Sequence, residues 1–203
     1  MTGKKWLGLS RAEKTERRRL DIVEAAAACF IAKGFHQSSM RDIASVAGVS
    51  LGNLYNHFDN KADLIKGLAA LEEEENQVLL EILAGKGAVM DIMGAFSETF
   101  IDLVRAPDNA ALTAEIFAEA MRNPDIHEIF DRNSKSLANA LSDLLQRGQT
   151  EGVLDKAMDT DITAALLIDL LEGAALRMAM QDNIVTDAEW NEINRMVEKT
   201  ILA

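Results

Sequence analysis

Between residues 50 and 61 the chain gathers Ser50, Gly52, Asn53, Tyr55, Asn56, His57 and Lys61, with Asp59 as the only acid. Such compact polar groups suit a core poorly, and their chemistry is recognition rather than bond making. A hydroxyl such as Ser50 at a helix start sits where free N–H groups and the helix dipole attract phosphate. Gly52 lets a backbone come close. Asn53 can both donate to and accept from a base edge, and Leu51 can touch a thymine methyl. Tyr55, Asn56, His57 and Lys61 are placed to reach phosphates and fix register, while Arg41, Leu51 and Asn53 read bases. Ser39 and Met40, one helix earlier, complete the set of expected DNA contacts.

These residues need a scaffold, and the local signals supply one. Residues 12–33 read as a helix with an apolar stripe of Leu20, Val23, Ala27, Phe30 and Ile31, closed by Gly34. Cys29 lies near that stripe and reads as a core residue. Ser39 with Asp42 three residues on reads as a capping box for a short second helix. Gly48 ends that helix, and Ser50 caps a third, running to about His57. Two short helices joined by a tight glycine turn make a helix-turn-helix. Its second helix enters a major groove N-terminus first. Leu54 and Phe58, four apart, should face inward and hold the reading helix on the first.

Charge divides along the same line. Residues 1–61 hold 10 Lys+Arg against 6 Asp+Glu, a net of +4, whereas the remainder carries −16 within a total of −12. Only the first piece suits a polyanion. A helical protein with two parts is expected: residues 1–60 as a DNA-binding domain and 61–203 as a second helical domain. The helix that starts after Asn60 belongs to both. Residues 1–11 are read as a loose basic arm, or as one reaching a minor groove through Lys4, Lys5 and Arg11.

Beyond the head, helices are expected at 61–83, 88–105, 109–122, 124–148, 160–181 and 187–202, giving an all-α chain of about nine helices. Pro107 is taken to end one of them, and residues 147–159 are taken as a loop. The segment 162–181 is apolar nearly all round, but Asp169, Glu172 and Arg177 exclude a membrane span. It must be covered on more than one side. Leu167, Leu170, Leu171, Ala174 and Met178, with Trp190, Ile193 and Val197 of the last helix, are the expected faces of a four-helix interface between two copies. Met93, Phe96, Phe100, Phe117 and Met121 are the candidate lining of a soft apolar pocket, with ordinary core as the reading for most of them. Glu115 and Glu119 would favour a cationic ligand if one faced that pocket; otherwise both are solvated.

The stretch FIAKGFHQSSMRDIASVAGVSLGNLYNHFDNKADLIKGL, residues 30–68, resembles the N-terminal domain of the TetR family of bacterial transcriptional regulators. The resemblance rests on Phe30 and Gly34, Ile43-Ala44, Gly48-Val49-Ser50, Leu54-Tyr55-x-His57-Phe58, and Lys61 followed by Leu64. It covers about a quarter of the chain and is specific as a set. It implies an all-α homodimer on a palindromic operator of double-stranded DNA. It also implies a C-terminal domain that binds a small, lipophilic effector and shifts the spacing of the two heads, with repression as the expected role.

Other chemistries find little support. There is no Gly-rich phosphate loop and no G-x-S-x-G elbow, so an enzyme is not expected. His127, Glu128 and Asp131 include a single histidine and read as a solvated helix face rather than a metal site. No cofactor is called for. One cysteine and no signal peptide point to the cytoplasm. The competing function is a helical adaptor in which the helix-turn-helix only packs; the basic head argues against it.

Overall fold

The computed structural model describes residues 10–104 and 107–180, together with 191–193, 195–197, 199 and 202. The described residues form eight helices: α1 (Arg11–Lys33), α2 (Met40–Val46), α3 (Leu51–Tyr55), α4 (Lys61–Leu83), α5 (Val89–Val104), α6 (Pro107–Ala120), α7 (Pro124–Glu151) and α8 (Thr160–Met180). Residues 191–193 and 195–197 are helical as well. Lys4 and Lys5 of the expected arm, the Met178 side chain and Trp190 lie outside the described residues; Arg11 opens α1.

Side chains that answer the orphan N–H groups start most of these helices. Ser10 and Glu13 close a capping box on α1, Ser39 and Asp42 another on α2, and Asn60 caps α4. Two boundaries differ from the sequence expectation. Pro107 opens α6 instead of ending α5, since a proline at the first helical position loses no intrahelical bond. The helix expected to stop at 148 runs one turn further, to Glu151, and ends at Gly152 in the left-handed region, φ +77°. Gly148 is no breaker. It is buried, and a β-carbon there would stand 2.5 Å from Leu154 Cδ1, so the missing side chain is what seats the following loop against α7. Arg147 ties the same turn to the α4–α5 connection, donating to the carbonyls of Gly85 (2.8 Å) and Gly87 (2.9 Å).

Two apolar cores result. One joins α1, α2 and α3 to the first half of α4 through Ile22, Phe30, Ile43, Leu54, Phe58 and Leu64. The other packs the second half of α4 with α5, α7 and α8 through Leu79, Phe96, Leu141, Leu145 and Ile168. Helix α4 therefore contributes to both. Its Gly67 permits a close crossing with α1, where a β-carbon would sit 2.7 Å from Val23 Cγ2. Ile126 of α7 reaches into the first core, and Leu112 and Ala120 of α6 pack at its edge.

Candidate DNA-binding head and ligand cavity

The reading helix α3 is held from beneath. Leu54 and Phe58 are buried against α1, and Arg19 lies over the Phe58 ring, 5.2 Å from its centroid. Between α2 and α3 the chain reverses at Gly48, φ +65°, with the Val49 N–H donating to Ala44 O at 3.0 Å. A positive φ is strained for any residue with a β-carbon, which explains the glycine. Ser50 caps α3 by accepting from the Asn53 N–H at 3.1 Å. The first turn of α3 thus projects from the head with Ser50 and Gly52 exposed. Among the described residues a β-carbon on Gly52 would meet nothing within 4 Å, so none of them requires glycine there. Tyr55 and Asn56 are exposed, His57 is half-buried, and Arg41 on α2 is exposed.

Other expected contacts have duties inside the head. Ser39 is bound to Asp42 twice over: its N–H donates to Asp42 Oδ2 at 3.0 Å and its hydroxyl at 2.6 Å. Lys33 Nζ adds a bond to Asp42 Oδ1 at 2.9 Å. The Ser39 hydroxyl, the Lys33 ammonium and the Ser39 N–H together hold the Asp42 carboxyl far below the usual carboxylate range. Met40 and Leu51 are half-buried against the head core. Lys61 is the clearest departure. Its ammonium donates to Phe35 O at 2.6 Å and His36 O at 3.3 Å and lies over the Phe35 ring, which spends two of its three N–H groups on the turn after α1. The Asn53 amide oxygen is buried without a hydrogen-bond partner, so two-point reading of an adenine requires its side chain to turn outward.

Sequence reading missed Ser38. It is buried, and its hydroxyl lies 3.0 Å from Cys29 O and 2.8 Å from Gly34 O, pinning the turn to the end of α1. Its neighbour Ser39 carried the visible capping signal.

A cavity of about 280 Å³ opens in the C-terminal half, walled by α1, α4, α5, α6, α7 and α8. Of the residues expected to line it, Phe100 and Phe117 do so. Met93 and Phe96 are instead buried in the second core, facing Leu167 and Leu171, and Met121 stands 80% exposed beyond the end of α6. The stripe on α5 was legible, but which neighbour each residue meets was not. Glu115 and Glu119 do not line the cavity; Glu115 is half-buried and Glu119 buried. Glu115 Oε2 accepts from the Phe35 N–H at 2.9 Å, and Glu119, 9% exposed, faces His36 at an ion-pair distance of 3.4 Å without hydrogen-bond alignment. The cavity does hold carboxylates that sequence reading did not assign to it: Glu24, Glu72 and Glu172. Burial, then the negative charges of Asp169 and Glu72, push the Glu172 carboxyl up to about 7.

The residues expected at a dimer face divide between the chain's own core and its surface. Leu167, Leu171 and Ala174 are buried in the chain's own core, and Ile193 and Val197 are half-buried beside them. The face of α8 turned outward carries Ile162, Leu166 and Leu170, four apart, of which the first two are 60% exposed. Of the expected α8 set whose side chains are described, Leu170 is the one turned outward.

Comparison with known proteins agrees with the head geometry. Residues 22–68 match the model of bacterial regulatory proteins of the tetR family, and residues 91–201 match that of BetI-type transcriptional repressors, C-terminal. The chain belongs to the TetR family. It is 28% identical over 166 residues to the HTH-type transcriptional regulator UidR of Escherichia coli K12, spanning 81% of this chain and 83% of UidR. It is 28% identical to the regulator TtgR of Pseudomonas putida over 70% of this chain and 73% of TtgR. Among solved structures it is similar to Salmonella enterica GusR, with a TM-score of 0.74, 26% identity and coverage of 94% and 97%. This TetR-family chain is thus a DNA-binding transcriptional regulator with an N-terminal helix-turn-helix and a C-terminal helical domain; dimerisation and effector release are typical of its family. Among the described residues, no helix is long and apolar enough to cross a membrane.

Proposed function

We propose that this chain is a homodimeric cytoplasmic repressor, without enzymatic activity, that leaves its operator when a small apolar molecule fills the cavity. Residues 1–60 would form the reading domain and 61–203 the sensing and dimerising domain. The observation that carries the reading is the position of α6. One face of this helix lines the cavity through Asn109, Thr113, Ile116 and Phe117, Leu112 meets both the cavity and the head core, and Glu115 and Glu119 reach the turn after α1. A ligand that displaces α6 would therefore move the turn behind α2, and with it the angle of the reading helix. Two heads would bind a palindrome whose half-sites lie one or more helical turns apart. Arg41, Leu51 and Asn53 would contact bases, with Ser50, Tyr55, Asn56 and His57 on phosphates. Gly52 would let the backbone approach.

Selection of duplexes from a random DNA library tests this directly. Recovery of a palindrome bound by two chains, with affinity falling steeply as salt rises, is the expected result. Failure to enrich any sequence with ligand-free protein would overturn it.

A further inference from the structure

We infer that His36 and Glu119 form a proton-operated latch between the reading head and α6. In acid His36 donates to Glu119 and fixes the head against α6; in alkali the contact loosens. The input is the proton, so the latch acts whatever fills the cavity. His36 stands in the turn after α1 and Glu119 in the last turn of α6. Glu119 is 9% exposed, and its Oε2 is shut from solvent with no hydrogen-bond partner among the described residues. A buried oxygen left so is costly. His36 Nε2 lies 3.4 Å from it, while the imidazole is 71% exposed and open to protons from solvent. A neutral imidazole has one N–H and can turn a lone pair toward the carboxylate; an imidazolium has an N–H on both nitrogens. Closing the gap by about 0.5 Å then makes an ordinary charge-assisted bond. Histidine is the side chain that changes charge between about pH 5 and 8.

The charged groups around this pair have other partners or other places. Lys33 at the end of α1 is bound to Asp42 of α2. Lys61 of α4 donates to the carbonyls of Phe35 and His36. On α6, Glu115 accepts from the Phe35 N–H, and just beyond the helix Arg122 donates to Ala118 O. Helix α7 sends Ile126 into the head core, and Asp125 and His127 on either side of it are exposed. Helices α5 and α8 approach α6 around the cavity instead, where Glu172 is the charged residue they contribute. Glu119 is thus the carboxylate that the imidazole meets. The Phe35 bond holds the turn to α6 at every pH, and the His36 ring, edge-on to Phe35 at 5.4 Å, adds the contact that a proton can switch. The latched arrangement binds the proton more tightly, so it gains as pH falls and loses that gain as pH rises. With the cavity empty it is the operator-bound arrangement of the proposed function, on which the direction rests. Operator binding should therefore strengthen in acid.

The test compares four full-length proteins, native, His36→Gln, Glu119→Gln and the double variant, by urea unfolding at about pH 5.5 and 8.5, on either side of the histidine range. His57, His127 and Glu172 are present in all four, so their titration cancels in the cycle. The coupling is expected to be worth about threefold in the folding constant in acid and nothing in alkali. Exchange of the Phe35 amide, corrected for its intrinsic rate, should slow in acid in the native protein but not in His36→Gln. His36→Lys keeps a donor at both pH values and should hold the coupling in alkali as well. Affinity for the duplex recovered by library selection should be about threefold higher for native than for His36→Gln in acid, and equal in alkali. Should Glu119→Gln fail to fold, the native, His36→Gln and His36→Lys proteins decide the matter by amide exchange. Coupling that is absent in acid, or the same at both pH values, would overturn the latch. Coupling that leaves operator affinity unchanged, or weakens it in acid, would overturn the switch. If selection recovers no duplex the proposed function fails, while coupling and exchange still decide the latch.

Discussion

The backbone N–H of Phe35 donates to Glu115 Oε2 across 2.9 Å, and with it the turn after α1 is bound to the helix that walls the cavity. Gly34 stands beside this bond, φ +80°, where a β-carbon would lie 3.4 Å from the same carboxylate oxygen. Lys61 caps the carbonyl of the same Phe35 from the other side. One residue thus receives a contact from the cavity wall and one from the first turn of α4.

Glu115→Ala should uncouple the two halves. It leaves the Phe35 N–H unanswered in a half-buried place, so stability should fall by roughly 1–2 kcal/mol. The larger effect should be on release. The ratio of operator Kd with and without a small apolar probe of the cavity, decan-1-ol, measured by fluorescence anisotropy, should move toward one.

Two glycines of the head should respond in opposite senses. Gly52→Ala meets only open space in the chain and improves helix propensity by roughly 0.5–1 kcal/mol, so urea unfolding should show equal or greater stability. Operator binding should nonetheless weaken, because the added methyl meets DNA. Gly48→Ala forces a β-carbon into a positive φ and should lose about 1 kcal/mol of stability.

Lys61→Ala should act mainly on folding. It removes two bonds to carbonyls and a cation over a ring, worth roughly 1–2 kcal/mol together. Arg41→Ala, at an exposed position, should leave the unfolding midpoint within about 0.5 kcal/mol of native while weakening operator binding. Denaturation beside operator titrations separates the two; equal stability losses would refute the distinction.

Neighbours on α8 should part in the same way. Leu166→Glu charges the outward face and should yield a folded monomer in analytical ultracentrifugation. Leu167→Ala opens a hole in the second core and should cost roughly 2–4 kcal/mol while the subunits still pair.

Stability should fall as pH rises from about 4.5 to about 7. Across that window the folded chain keeps the Glu172 proton and the unfolded chain has lost it, so the folded state binds more protons and loses ground with each increment of pH. The full effect is on the order of 3 kcal/mol, complete above about 7. Asp42 stays ionised throughout this range and adds nothing to the slope. Urea midpoints at pH 5 and pH 8 should differ accordingly in the native protein and converge in Glu172→Gln.

The local code of the chain determined the helices, most of their caps and the helix-turn-helix. Ser39 with Asp42, Gly48, Ser50 and Asn60 act within a few residues of themselves, so their meaning survives in one dimension. Periodicity likewise marked Leu54 and Phe58 as inward-facing, because two residues four apart share a helix face whatever lies opposite. What lies opposite was decided only by tertiary packing. Helix α8 is apolar nearly all round, so nothing in its sequence distinguishes Leu167, which faces α5, from Leu166, which faces solvent. Charge behaved in the same way: Lys61 and Glu115 read as solvated or ligand-seeking groups, and Glu172 only as a bar to a membrane span. The fold gave the first two to the backbone around Phe35 and placed only the third in the cavity, since a long-range partner fixes the role of an ionisable side chain and one-dimensional spacing does not contain it.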